Sequence, residues 1–244
     1  ASNIIIDPVH KIFGKTIETS IELDGNQVKG YCFSRGWGGK RYTNFVISFS
    51  RPFNAFGIYD GSEQLDEVSR ATGENVKAYV QFHTDRDEEI EVQVAVSQVS
   101  QEGAEKNLQS GKSGRSFDKV LEGTRKLWVD ELSKIEVNGG SEEQKTIFYT
   151  GLYHNFLHPS LSMDVDGNYM AAGKSLKASG FVNYTTFSLW DTFRATHPLF
   201  TILQPAKSTD FINSLISRHR DADDHLPMWE LCGHDNVCMT GSQD

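Results

Sequence analysis

The hydrophobic period of this chain changes once, near residue 100, and that change limits the fold more than any other feature. Before it, apolar residues alternate. Val76, Ala78, Val80 and Phe82 share one face of a run ending at His83, and Ile90–Ser97 alternates over four pairs. A period of two belongs to a strand with one buried face. Thr16–Leu23 and Gln27–Ser34 flank Asp24-Gly25-Asn26, which reads as a hairpin turn. Phe45–Ser50, closed by Arg51-Pro52, and Phe56–Tyr59, ended by Asp60-Gly61, add further strands. Short strands separated by turns predict an antiparallel β-sandwich over residues 1–110.

After residue 100 the steps become three and four. Glu102–Leu108 reads as a short helix and Gln109–Gly114 as a loop. Phe117, Val120, Leu121, Thr124, Leu127, Trp128, Leu132 and Ile135 then predict a helix over 116–134, within a linker spanning 111–138. Ser141 with Gln144 three residues later fits a capping box, opening a helix that Pro159 stops. Asp164–Asn168 reads as a turn joining Leu161–Met163 to Tyr169–Ala171. Its acidic spacing faintly resembles a calcium loop but lacks the closing glutamate. Tyr184–Phe187 reads as a strand, Ser188 as the cap of a helix to Leu203, Ser208–Arg220 as another helix, and Met228 onward as helix or turn. The fold class is therefore α+β and multidomain, with residues 139–244 holding too few helices to close an (α/α) toroid.

Charge narrows the partners. The formal net charge is −9, and no Lys/Arg cluster interleaves with aromatics, which argues against nucleic acid and anionic membranes and suits a neutral substrate. No run has the length of a membrane-spanning helix, and Ala1–Asp7 lacks the basic and apolar regions of an intact signal peptide. The chain is then cytosolic, or a signal was removed with upstream sequence. Cys32, Cys232 and Cys238 form no disulfide framework and no Cys-x-x-Cys pair. Free buried thiols fit them better than a Cys232–Cys238 bridge.

The run Tyr184–Leu199 carries the chemistry, with Trp190, Asp191 and Arg194 where a strand feeds a helix. An aromatic face stacks on the C–H face of a pyranose, and a carboxylate accepts hydrogen bonds from its hydroxyls. Each residue also has a plainer role. Asp191 complements a helix dipole, Trp190 fills a core, and Arg194 pairs with Asp191. His197 before Pro198 reads as packed or capping. Trp229 and Glu230 follow Pro227, so a turn aims them outward as a site rim or leaves them structural. His234 and Asp235 bind sugar or ion, or belong to a solvated loop.

Several stretches together resemble glycoside hydrolase family 92, the calcium-dependent, inverting exo-α-mannosidases. Val96–Leu108 is similar to the signature closing that family's galactose-mutarotase-like sandwich. Trp128, Leu132, Ile135 and Val137 resemble its linker helix, and Phe148–His154 with Pro159 the opening of its catalytic domain. Tyr184–Leu199, Leu226–Leu231 and Cys238–Gly241 follow in the family's order. The resemblance implies a partial sandwich, a linker and the start of an (α/α)6 catalytic domain, in a periplasmic or secreted enzyme acting on mannose-containing glycans, including N-glycan degradation. It implies substrate contacts from Trp190, Asp191, Arg194, Trp229, Glu230, His234 and Asp235. The family's catalytic glutamate, its general-base aspartate and the main Ca2+ ligands match nothing within residues 1–244, so no catalytic or metal role is assigned here and the chain is expected to be an internal, inactive fragment. Two alternatives remain: a carbohydrate-binding sandwich without catalysis, and another (α/α)6 glycosidase.

Overall fold

Alternation builds β1 (Ser2–Ile6), β2 (Lys15–Asp24), β3 (Gln27–Gly36), β4 (Gly39–Phe49), β5 (Ala55–Asp60), β6 (Glu63–Leu65), β7 (Arg70–Gly73), β8 (Val76–Phe82) and β9 (Val92–Ser97). Helical spacing then gives α1 (Gln101–Gly111), α2 (Phe117–Leu132) and α3 (Glu142–Asn155). Short strands follow: β10 (Ser160–Leu161), β11 (Asn168–Ala171), β12 (Lys174–Lys177), β13 (Tyr184–Thr185) and β14 (Phe187–Ser188). Helices α4 (Leu189–Thr192), α5 (Thr196–Leu203) and α6 (Pro205–Arg218), a wide π-turn (His219–Asp223), β15 (Trp229–Leu231) and β16 (His234–Asp235) complete the order. The structure, a computed structural model, describes residues 2–111, 116–223 and 225–237. The chain forms two units, one of Ala1–Lys112 with Met163–Lys177 and the other of Ser113–Ser162 with Ala178–Asp244. Among the described residues no helix is long and apolar enough to cross a membrane.

The first unit is an antiparallel sandwich. One sheet runs β1-β8-β5-β6 and the other β7-β2-β3-β4-β9. Val76, Ala78, Val80 and Phe82 of β8 are all at most 2% exposed, as their alternation predicts. They meet Ile21, Leu23, Val28 and Phe49 of the five-stranded sheet in one core. Each large side chain buried there contributes about 1.5–3 kcal/mol. Gly25, at φ 60°, turns β2 into β3 where the sequence places the hairpin.

Strand β9 has the expected period with the opposite side exposed. Val92, Val94 and Val96 are 43%, 61% and 55% exposed. They share a face with Phe49, Ile47 and Phe45, their register partners on β4, but β9 is the edge of its sheet and no described residue covers them. On the opposite face Ala95 packs with Val46 of β4 and with Ala104 and Leu108 of α1.

The Asp164 turn does not join Leu161 to Tyr169. Leu161 pairs with Tyr184, and β11 pairs with β12 through Ala172-Gly173, both at positive φ. The turn instead docks onto α1. Asp164 is 4% exposed; its carboxylate accepts from Ser97 Oγ at 2.7 Å and from Asn107 Nδ2 at 2.8 Å. Asn107 Oδ1 accepts from Val165 N at 2.9 Å, and Lys106 reaches Asp166 at 3.1 Å. Gly103 leaves the space this requires, because a Cβ there would stand 2.2 Å from Asp164 Oδ2.

In the second unit Ser141 Oγ accepts from Gln144 N at 3.2 Å and Gln144 Oε1 from Ser141 N at 2.9 Å, the capping box the sequence predicts. Trp128 and Tyr153 join α2 to α3 with ring centroids 4.6 Å apart. Glu131 of α2 ties to Gln204 at 2.6 Å and to Lys207 at 3.3 Å. Phe187, Phe200 and Phe211 form the unit's core, with Phe156, Tyr184, Leu189 and Leu215 against it. The helix predicted from Ser188 to Leu203 is split into α4 and α5, and Ser188 supplies no backbone cap. Pro205 opens α6 at its first turn, where a missing N–H costs nothing. The segment after Met228 is a strand pair rather than a helix.

Replacing Gly103 by Ala forces the Asp164 carboxylate out of its buried socket. Overpacking of this kind costs about 1–3 kcal/mol, so the chemical-denaturation midpoint is expected to fall with an unchanged slope. An unshifted midpoint would mean the turn does not dock there.

Candidate functional site

The site is built where the chain changes strand partner. Thr185 pairs with Ser160, whereas Phe187 and Ser188 pair with Glu230 and Trp229. Glu230 and Leu231 in turn pair with Asp235 and His234. One small antiparallel sheet, β14-β15-β16, thus joins two sequence runs some forty residues apart. It pairs Ser188, after which α4 carries Trp190 and Asp191, with Trp229.

The residue between the two pairings is Thr186, whose φ is 70°. A β-branched residue in the left-handed region is strained by about 1–3 kcal/mol. Its N–H donates to Glu230 Oε2 at 2.8 Å. Glu230 Oε1 accepts from Thr185 Oγ1 at 2.7 Å, from Gly233 N, and from Arg218 Nη2 at 3.2 Å. The Glu230 and Arg218 side chains are 0% and 1% exposed. Arg218 also reaches Ser214 O at 2.8 Å, Tyr184 O at 2.7 Å and Asn183 Oδ1 at 3.1 Å. Sequence reasoning aims Glu230 outward; the strand pairing turns it inward, and four donors occupy its carboxylate. Removing one member of such a buried pair costs about 3–5 kcal/mol.

The exposed residues are differently arranged. Trp190, Asp191 and Arg194 face solvent, and Trp229 and His234 are half-buried. Arg194 does not pair with Asp191. Its guanidinium lies 5.4 Å from the Trp190 ring centre and 5.2 Å from that of Phe193. Such cation–π contacts contribute about 0.5–1 kcal/mol when exposed. Asp191 Oδ2 accepts from Ser188 Oγ, and its second oxygen meets no donor among the described residues.

Asp235 is a latch. Its side chain is 4% exposed. Oδ1 accepts from Trp229 N at 3.0 Å and Val237 N at 3.1 Å; Oδ2 accepts from Met228 N at 3.1 Å and faces His225 Nε2 at 3.3 Å. Burial raises its carboxyl, but these donors together outweigh burial and hold it below its ordinary value. His197 is packed, as expected, edge-on to Phe200 and Phe211, and burial pushes its imidazole down. A cavity of about 270 Å³ lies elsewhere in the second unit, between His158, Ser160, Tyr184, Gln204 and Lys207; none of the seven predicted residues lines it. Among the described residues no three His, Cys, Asp or Glu side chains converge to hold a metal. The Cys238–Gly241 stretch, and with it any Cys232–Cys238 bridge, falls outside the described residues.

A single arginine in a helix gives no sequence signal of its role, and Arg218 falls inside the helix expected to run to Arg220, which ends at Arg218. Thr186 was equally silent, since its strain comes from its neighbours.

Because the Asp235 pKa is depressed in the folded state, its stabilisation is present above the ordinary value of 3.8 and is lost as pH falls through the folded value. Asp235→Asn turns an N–H toward backbone donors and is expected to cost about 1–3 kcal/mol near neutral pH. Thermal unfolding should show that gap narrowing as the wild type is acidified below its carboxylate range. A gap constant with pH would contradict the ionised latch.

Comparison with known proteins divides the chain near residue 100. The family model of the glycosyl hydrolase family 92 N-terminal domain matches residues 1–97, and that of its catalytic domain matches residues 103–244. The family GH92 α-mannosidase BT3965 from Bacteroides thetaiotaomicron, solved in complex with mannoimidazole, is 31% identical over 97% of this chain with a TM-score of 0.91. The inverting mannosidase BT2199 from Bacteroides thetaiotaomicron VPI-5482 is 27% identical over 97% with a TM-score of 0.86. The GH92 family glycosyl hydrolase ccman5, 22% identical over 90% with a TM-score of 0.83, shares the fold. The match spans 30–33% of the length of these solved chains. A search of curated proteins finds no match. With a β-sandwich followed by the start of a helical catalytic domain, and family models covering both, the chain belongs to glycosyl hydrolase family 92.

Proposed function

We propose that the intact protein is an exo-acting α-mannosidase that removes non-reducing terminal mannose from glycans with inversion, and that this chain supplies one wall of its sugar pocket. The observation that carries this reading is the β14-β15-β16 sheet, which pairs Ser188, shortly ahead of Trp190 and Asp191 in the chain, with Trp229. Two aromatic faces suit the C–H face of a pyranose, and the open oxygen of Asp191 suits its hydroxyls. Arg194, stacked on Trp190, stiffens that ring, and His234 lies on the adjoining strand as a further polar contact.

Inversion requires a protonated carboxyl and a base carboxylate about 6.5–9.5 Å apart. Neither buried acid of the site suits those roles. Glu230 is held by Arg218 and three further donors, and Asp235 is held ionised by backbone N–H groups. Family resemblance assigns the acid and base to the part of the relatives that lies outside the matched third, and residues 1–244 alone are expected to be inactive. Calcium is treated in the same way. The described residues do not fit the ion: no ligand cluster forms, and Asp164 and Asp166 are already committed to Ser97, Asn107 and Lys106. Calcium dependence of the intact enzyme, and a periplasmic or secreted location, rest on family membership alone.

The test is hydrolysis of an aryl α-mannoside by the intact protein, with the anomer of the first product read by NMR. Release of β-mannose, abolished by EDTA and restored by calcium, is expected. Full activity in EDTA, or no turnover of any α-mannoside, would contradict the proposal. Asp191→Ala removes a charged hydrogen bond worth about 1.5–3 kcal/mol and should lower kcat/KM about 10–100-fold. Near-normal kcat/KM in a folded variant would make Asp191 structural.

A further inference from the structure

We propose that Glu230 and Arg218 are positioning residues: they clamp Thr186 in its left-handed conformation and so set the bearing of Trp190 and Asp191 on the sugar. The inference rests on the mannosidase reading and gives the buried half of the site a task within it. Glu230 is sealed from solvent, so it does not touch substrate. Its bonds instead converge on one backbone bend. Oε2 takes the Thr186 N–H, and Oε1 takes the Thr185 hydroxyl and the Gly233 N–H. Arg218 holds the same bend from the other side through Tyr184 O and Asn183 Oδ1.

The bend decides where the next five residues go. Before it the chain pairs with β10; after it the chain pairs with β15. At φ 70° a threonine is out of its preferred regions, and only neighbours that over-determine it keep it there. If Thr186 relaxed, the peptide entering Phe187 would rotate. The Phe187–Glu230 and Ser188–Trp229 pairs would then shift, and Ser188 holds Asp191. The strained residue is thus tied to the exposed pair by one short covalent path and one strand register.

Glycine separates this role from general stabilisation, because it adopts a left-handed φ without a Cβ penalty. In the intact enzyme, Glu230→Gln keeps size but places an amide N–H against donors. It is expected to lower kcat on an aryl α-mannoside about 10²-fold, the cost of a misplacement near 1 Å. Adding Thr186→Gly to Glu230→Gln should recover about tenfold or more of that loss, since the bend then needs no clamp. Should Glu230→Gln fail to fold, Glu230→Asp takes its place; it keeps the charge beside Arg218 but draws back from the Thr186 N–H. Wild-type kcat in the Glu230 variant, or a double variant no better than the single, overturns the proposal. If the wild type turns over no α-mannoside, the mannosidase reading fails on its own. The clamp is then read by thermal unfolding, where Thr186→Gly should restore stability lost in the Glu230 variant, and no restoration overturns it.

Discussion

A carboxylate without water organises the second unit. Glu230 is taken out of solvent together with Arg218, and its two oxygens are spent on a guanidinium, a hydroxyl and two backbone N–H groups. A buried ion pair is a poor source of net stability, because desolvation offsets most of the attraction. Its effect here is geometric. It welds β14 to β15 and fixes a strained Thr186 between two strand pairings. Trp190 and Asp191 follow β14 within three residues.

The first unit uses a buried acid for a different purpose. Asp164, at 4% exposure, docks a distant turn onto α1 through Ser97 and Asn107. In both units a buried acid ties down a short segment, Asp164 through two side-chain donors and Glu230 through four donors. Glu230 and Asp235 are likewise occupied by donors, whereas the second oxygen of Asp191 meets none among the described residues. Burial sorts them: Asp164 and Glu230 are sealed, and Asp191 is exposed.

Local patterns were legible where local physics decides. The alternation of β8, the Asp24–Asn26 hairpin, the spacing of α2 and the Ser141–Gln144 box all appear in the structure as the residues imply. What failed depended on partners distant in sequence. The valines of β9 have the right period, but only the extent of the facing sheet determines whether they are covered. Leu161 and Tyr169 flank a good turn, yet Ser97 and Asn107 compete for it and Tyr184 takes Leu161. Seven site residues were named from chemistry and motif. Four of them, Trp229, Glu230, His234 and Asp235, lie on one small sheet; Trp190, Asp191 and Arg194 follow β14 in the chain and face solvent, whereas Glu230 and Asp235 do not. Arg218 and Thr186 had no signal, because a buried pair and a strained φ are properties of the assembled site.

Hydrogen exchange of the intact protein tests most directly whether the Glu230 weld exists. The Thr186 amide lies in the break between β13 and β14 and the Gly233 amide in a turn, both outside the strand ladders, yet both donate to Glu230. If the weld holds, both should exchange slowly and with the same opening free energy as the Phe187–Glu230 pair, as members of one cooperative unit. Rapid exchange at Thr186 and Gly233 beside a protected α6 would show that Glu230 does not hold the bend, and the organisation of the site proposed on it would fall.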